Sequence, residues 1–273
     1  MNYTPLAANT IRRSPSATPL PPGPELCFVG ASMVDQAHRF KQTFLDAWTI
    51  HFGGQEGARI QGEKMLDAIL AAQRSRPREY VVPQLLQRHL ERFIDAVTPQ
   101  LADDPVAMVA EMAAAERRLN VIARLGGAGI HVWGDPGWKL TVPAGVVYKG
   151  FAGHKQQLTN IYRRGKIHVD VNRLYQLDIV PMRIFDILAC GGFVIAEHSP
   201  ALEQLFEVGV EIEAWRTIEE LVAKVEFFRA HPDKGAAIAA RGLSAVRERH
   251  TIRGRVQDMI SALPVKCERS SAG

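Results

Sequence analysis

The run Pro181-Met182-Arg183-Ile184-Phe185-Asp186-Ile187-Leu188-Ala189-Cys190-Gly191-Gly192-Phe193 decides the fold. Pro181 to Cys190 reads as a short helix. Ile184, Ile187 and Leu188 form its buried face, while Arg183, Asp186 and Cys190 stand at i, i+3 and i+7 on the other. Gly191-Gly192 then serves a tight passage into Phe193 to Ala196, an apolar stretch of strand length. A strand without polar alternation is one buried on both faces, as in a parallel sheet covered by helices.

The same alternation extends in both directions. Upstream, Leu26-Cys27-Phe28-Val29 is a strand closed by Gly30, followed by helices at 38–50, 62–74 and 83–97, with breaks at Gly53-Gly54, Pro77 and Pro83. Asp104 is an N-cap with Pro105 at the first helical position. Val106, Val109, Met112 and Ala113 carry that helix to Leu125, where Gly126-Gly127 is the expected stop. Strands follow at 130–133, 146–148 and 166–172, with a helix over 153–164 that Gly165 ends. Downstream, Ser199-Pro200 opens a helix, Glu211 to Trp215 is a strand, and Thr217-Ile218-Glu219-Glu220 is a capping box for helices running to about 262. Six strands separated mostly by helices predict a doubly wound α/β domain: a parallel six-stranded Rossmann-like sheet with a helical insertion, about 56–103, after the first strand. The six prolines among residues 1–24 predict a linker-like leader, with the domain over 25–263 and a disordered tail over 264–273.

Composition sets the outer limits. With 47% hydrophobic and 23% charged residues, the 273-residue chain is neither wholly disordered, collagen-like nor a polytopic membrane protein. Its longest apolar run, Ile187 to Ala196, falls short of the roughly 20 residues a bilayer requires, so no transmembrane segment is expected. Arg12-Arg13 lacks the apolar stretch of a signal peptide. The net charge of +4 has no basic run longer than Arg163-Arg164-Gly165-Lys166 and no interleaved aromatics, which gives nucleic acid no support and suits a small anion. Cys27, Cys190 and Cys267 are far apart, consistent with a reducing cytoplasm. The nine histidines lack ligand spacing, so no metal site is expected; His168 reads as packed in its strand and His250 as structural.

An open parallel sheet binds its ligand outside the carboxyl ends of its strands. The residues there are Gly30-Ala31-Ser32, Gly134-Asp135-Pro136-Gly137-Trp138, Asn172-Arg173 and Glu197-His198-Ser199. Gly30-Ala31-Ser32 is either a plain turn or a backbone approach to phosphate; without the further glycines of G-x-G-x-x-G, a nicotinamide or flavodoxin-like reading loses. Arg183 can fork onto a diphosphate and Asp186 can accept from ribose or sugar hydroxyls. The competing reading is a solvated i, i+3 salt bridge between the two.

At this point the chain resembles the CgeB-like (spore-maturation type) glycosyltransferases. The likeness runs through Arg183 to Phe193, Leu205-Phe206-Glu207-Val208-Gly209, Thr217 to Leu221 and His250-Thr251 with Arg255. Phe28 to Ser32, and Val132 to Asp135 with Trp138, carry it upstream. The resemblance implies the C-terminal half of a GT-B enzyme, in which two Rossmann-like domains face across a cleft and no bound metal or other cofactor is needed. It further implies that this half holds a nucleoside diphosphate sugar, with UDP the expected nucleotide, and that the acceptor half is missing from these residues. Tyr3 to Thr10 is similar to the connector that enters this domain. The donor residues so implied are Gly30, Ser32, Gly134, Asn172, Arg183 and Asp186. Asp178, eight residues before Asp186, stands where related transferases often carry glutamate, and Ile252 where an aromatic is common. Two functions of different class follow: a transferase whose acceptor domain is a separate protein, or a non-catalytic nucleotide-sugar-binding or interaction module that works with a separate partner.

Overall fold

The short apolar runs become strands because each has two faces to bury. Leu26–Val29 (β1), His131–Trp133 (β2), Val147–Tyr148 (β3), Ile167–Val169 (β4), Val194–Glu197 (β5) and Glu213–Trp215 (β6) form one sheet in the order β3-β2-β1-β4-β5-β6. Every pairing is parallel. The chain moves outward from β1 to β3, then returns to β4 and moves outward the other way, so the topological switch lies between β1 and β4. The structure is a computed structural model describing residues 5–15, 20–53, 57–141, 144–176 and 178–262. Tyr3, Thr4, Gly54, Cys267 and the 264–273 tail lie outside these residues.

Between β1 and β2 run Val34–His51 (α1), Ala58–Arg74 (α2), Val82–Val97 (α3) and Pro105–Arg124 (α4). Phe44, Trp48, Leu66, Leu70, Leu86, Phe93, Met108 and Met112 give them a shared core. Each such side chain contributes roughly 1.5–3 kcal/mol on burial, so the insertion is held by packing of its own. Asp104 caps α4 by accepting from Val106 N at 3.0 Å. α1 begins at Val34, earlier than the expected 38, because the Asp135 carboxylate from the distant β2 loop accepts from Ser32 N at 2.8 Å and closes the entry turn. Met33 in that turn has φ 66, a strained value for a side chain that is not glycine. The stop after α4 also differs: Gly126–Ala128 forms a 3₁₀ turn, and Gly129, not the Gly126-Gly127 pair, takes the positive φ of 70.

After β2 comes the short helix Trp138–Thr141 (α5), which no sequence pattern announced. Gln156–Arg164 (α6), Met182–Ala189 (α7), Pro200–Leu205 (α8), Ile218–Ala230 (α9), Pro232–Arg249 (α10) and Ile252–Ser261 (α11) complete the chain. α4 and α9 bury Val121, Ile122, Leu221 and Val225 against the strand face carrying Leu26, Phe28, Val132 and Ile195. α6, α7 and α10 bury Leu158, Tyr162, Ile184, Leu188 and Val246 against the face carrying Cys27, Trp133, Val194 and Ala196.

The α7 to β5 passage explains the two glycines. Gly191, at φ 77, and Gly192 donate to Leu188 O at 2.9 Å and Ile187 O at 3.0 Å, the paired bonds of a left-handed helix stop. The expected capping box also forms, with one difference. Thr217 Oγ1 accepts from Glu220 N at 3.1 Å, but Glu220 reaches back to Arg216 N at 2.7 Å, one residue beyond the cap. The proline-rich leader docks on the domain: Ala8 is fully buried and bridges Thr251, donating to His250 O at 2.8 Å and accepting from Ile252 N at 3.0 Å.

Candidate functional site

The carboxyl edge of the sheet is tied together at its switch point by Arg183. From the first turn of α7 its Nη1 donates to Val29 O of β1 at 2.9 Å and its Nε to Asp170 Oδ1 beyond β4 at 2.7 Å; Nη2 also binds Asp170. Arg118 of α4 enters from the other face, donating to Ala31 O at 3.0 Å and Val171 O at 3.1 Å. The two guanidiniums flank the Phe28 ring at 5.4 and 5.8 Å from its centroid. Burial, and then the like charge of Arg183, push Arg118 down to about 10. Asp170 is fully buried; its Oδ2 and Arg118 Nε have no hydrogen-bond partner among the described residues. Unpaired buried polar atoms cost about 1–3 kcal/mol each.

Arg183 and Asp186 therefore do not pair with each other, and the solvated i, i+3 salt bridge is absent. Asp186 turns away to Arg13 of the leader, whose Nε donates to Asp186 Oδ2 at 3.1 Å. Arg13 is buried and also donates to Thr159 Oγ1 at 2.7 Å, His154 O at 2.8 Å and Lys155 O at 3.1 Å. Burial raises the Asp186 carboxyl above its usual range against the opposing pull of Arg13.

Gly30, Gly134 and Ser32 meet at the β1 and β2 ends. A Cβ on Gly134 would lie 2.1 Å from Gly30 O, so only glycine lets the two loops touch. Trp138 Nε1 donates to the same Gly30 O at 2.9 Å. Ser32 is fully buried, with its amide and hydroxyl both on Asp135. Asn172 N donates to Glu197 Oε2 at 2.9 Å, and the same carboxylate holds Arg117 of α4. Gly30 and Arg183 are thus brought together at the switch point, Asn172 sits one strand over, and Asp186 faces α6 and the leader.

Two cavities open along the β5 and β6 ends. One, about 390 Å³, lies between α2, α4 and the β6–α9 junction. The other, about 290 Å³, is lined by Asp178, Glu197, His198 and Ser199, and shares Arg78, Trp215 and Arg216 with the first. Asp178 therefore lines a cavity, whereas Asp186 is bound by Arg13. Among the described residues no group of His, Cys, Asp or Glu is placed to hold a metal, and no helix is long and apolar enough to cross a membrane. His168 is buried with Nε2 3.1 Å from Tyr162 O, and His250 Nε2 is 2.8 Å from Leu205 O; both serve packing.

Arg13, Arg117, Arg118 and Asp170 carry no motif and were missed by sequence reasoning. The one usable signal is the doublet Arg117-Arg118 in an alanine-rich helix. The partners of the three arginines lie 53 to 173 residues away in the chain, whereas Asp170 meets Arg183 only 13 residues on.

No curated protein matches the chain. Among solved structures it is similar to Anabaena HepE in complex with UDP and glucose, at TM-score 0.44 and 15% identity over 54% of this chain and 44% of that one. It is also similar to TarM, at 0.43 and 11% over 54% of this chain and 31% of that one. The chain thus spans less than half the length of these proteins. Residues 111–261, more than half of the chain, match the sequence profile of the glycosyl transferase-like family. This profile begins inside α4 and takes in α7 and the whole of the sheet except β1. The chain belongs to the glycosyl transferase-like family.

Proposed function

We propose that the chain is the donor-binding half of a GT-B glycosyltransferase of the CgeB-like type. It transfers a sugar from a nucleoside diphosphate sugar to a hydroxyl acceptor held by a separate acceptor-domain protein. The supporting observation is the pair Arg118 and Arg183, packed at the switch point of a parallel sheet in a member of this family. The two cations share the one buried carboxylate of Asp170, which leaves a net positive charge that an anion complements, and a diphosphate gains negative charge as its bond to the sugar breaks. In that step the acceptor oxygen bonds the sugar carbon, the nucleoside diphosphate leaves, and the acceptor proton passes to a base. If the configuration inverts, that base belongs to the acceptor half.

On this reading Arg183 acts through its charge, since its fork is already engaged by Asp170. Gly30 leaves room for the phosphates beside Ser32, Gly134 borders the nucleotide, Asn172 lies at the donor edge, and Asp186 takes donor hydroxyls once Arg13 is displaced. Titration calorimetry with UDP and the other common nucleoside diphosphates is the test. Saturable binding that weakens in Arg118→Met supports the reading; failure of all of them at millimolar concentration refutes it. A second reading, a non-catalytic module, draws on the internal engagement of Arg183, Asp186 and Ser32. Donor binding without transfer, in the presence of a co-purifying acceptor-domain protein, favours it.

A further inference from the structure

The cavity between the helical insertion and the β6 edge has no part in the donor reading. We propose that it binds a small hydroxylated molecule carrying one oxyanion group, a sugar acid or a sugar phosphate monoester. Its volume, about 390 Å³, suits a ligand of that size.

The charges of its wall are largely spent. Arg74 pairs with Glu116 at 2.7 Å, Arg117 with Glu197, and Arg216 with Glu203 at 3.1 Å. Arg78 has no ion pair or hydrogen bond among the described residues. One uncompensated guanidinium matches one oxyanion, which it can hold through two parallel N–H bonds. Glu116 and Glu219 on the same wall are themselves held, by Arg74 and by Arg124 at 3.7 Å, so Arg78 supplies the single net charge of the wall.

The position of Arg78 is prepared in advance. Gln73, 2% exposed at the end of α2, donates from Nε2 to Arg76 O at 3.1 Å and Glu79 O at 2.7 Å, and its Oε1 accepts from Val81 N at 3.0 Å. One buried amide thereby sets the whole turn that presents Arg78, and a preset turn loses little entropy on binding. Asn120, one helical turn beyond Arg117 on α4, has an exposed amide free to donate to and accept from hydroxyls. The buried Val121 and Trp215 back the cavity on its core side. The first turn of α9 forms another wall, but Glu219 and Glu220 already complement its dipole, so the selection for an anion comes from Arg78.

This site goes beyond the donor reading and stands without it. The test is titration calorimetry of the full chain with glucuronate, glucose 1-phosphate, glucose and UDP, using wild type, Arg78→Ala and Arg78→Lys, all checked for folding by circular dichroism. The expected result is binding of glucuronate or glucose 1-phosphate, with glucose at least about tenfold weaker. Arg78→Ala should lose about tenfold or more, with Arg78→Lys between the two. Which of the two anions binds identifies the oxyanion as carboxylate or phosphate. UDP should behave identically in wild type and Arg78→Ala. If UDP binds neither protein while the anion binds wild type alone, the donor reading fails and this one stands. No binding of either anion at about 10 mM, equal binding by Arg78→Ala, or parallel loss of UDP and anion in Arg78→Ala overturns the proposal.

Discussion

Replacing Arg13 by alanine tests how the leader is held and what opposes the upward push of burial on the Asp186 carboxyl. The guanidinium is 4% exposed and the carboxylate 15%, so the pair lies largely out of water. The substitution leaves Asp186 without its ion-pair partner and frees Thr159 Oγ1, His154 O and Lys155 O from theirs. Breaking a buried pair from one side costs about 3–5 kcal/mol. In a domain of this size that lowers Tm by roughly 10 °C. The loss also carries a pH signature. Burial raises Asp186, and Arg13 supplies the largest opposing pull, by charge and by hydrogen bond. Without Arg13 the folded-state pKa climbs further above the unfolded value. Stability relative to wild type is then best below the unfolded pKa, where the carboxyl is neutral in both states, and falls as pH rises through the folded pKa. Urea denaturation at about pH 5 and pH 8 should show the larger gap at the higher pH. Asp186→Asn added to Arg13→Ala should recover part of the loss at the higher pH. A gap below about 1 kcal/mol, or one equal at both pH values and untouched by Asp186→Asn, refutes the reasoning.

Gly134→Ala forces a Cβ to within 2.1 Å of Gly30 O and 2.8 Å of Trp138 Nε1, so the β1 and β2 loops must part. A stability loss of about 1–3 kcal/mol or more in chemical denaturation is expected, and a neutral result would contradict the close approach. His168 is fully buried and lowered to about 4, chiefly by burial, from an ordinary 6.5. Only the unfolded chain takes up this proton between those values, so stability drops by roughly 3 kcal/mol as pH falls from 6.5 to 4. His168→Gln should flatten that part of the stability profile; an unchanged slope would count against it. Cys27 and Cys190 are buried and pushed up by burial to about 12, which leaves about one thiolate in 10⁴ near pH 8. Peptide mass mapping after iodoacetamide should find both unmodified in folded protein and both modified in urea. Rapid labelling of either when folded would show that its burial is wrong.

The elements most legible in the sequence are those made by neighbours in the chain. Asp104-Pro105, Thr217 to Glu220 and Gly191-Gly192 start or stop helices through bonds spanning two to five residues, so their signals are local. The apolar runs of β1 and β5 state their burial on both faces directly. Where a distant group intervenes, the pattern misleads. α1 starts early because Asp135 closes its entry turn from 103 residues away, and the leader, which reads as a linker, is pinned by Arg13.

The same division governs the site. Sequence by itself determined the α/β class, the six strands, the helical insertion and which side chains lie near the carboxyl ends. Only the tertiary structure decided their partners: Arg183 with Asp170 and Val29, Asp186 with Arg13, Asn172 with Glu197, and Arg78 with none among the described residues. The physical reason is range. Helix periods and caps act within a turn or two, whereas a buried charge is satisfied by whichever group the crossovers bring beside it, and that group can lie 173 residues away.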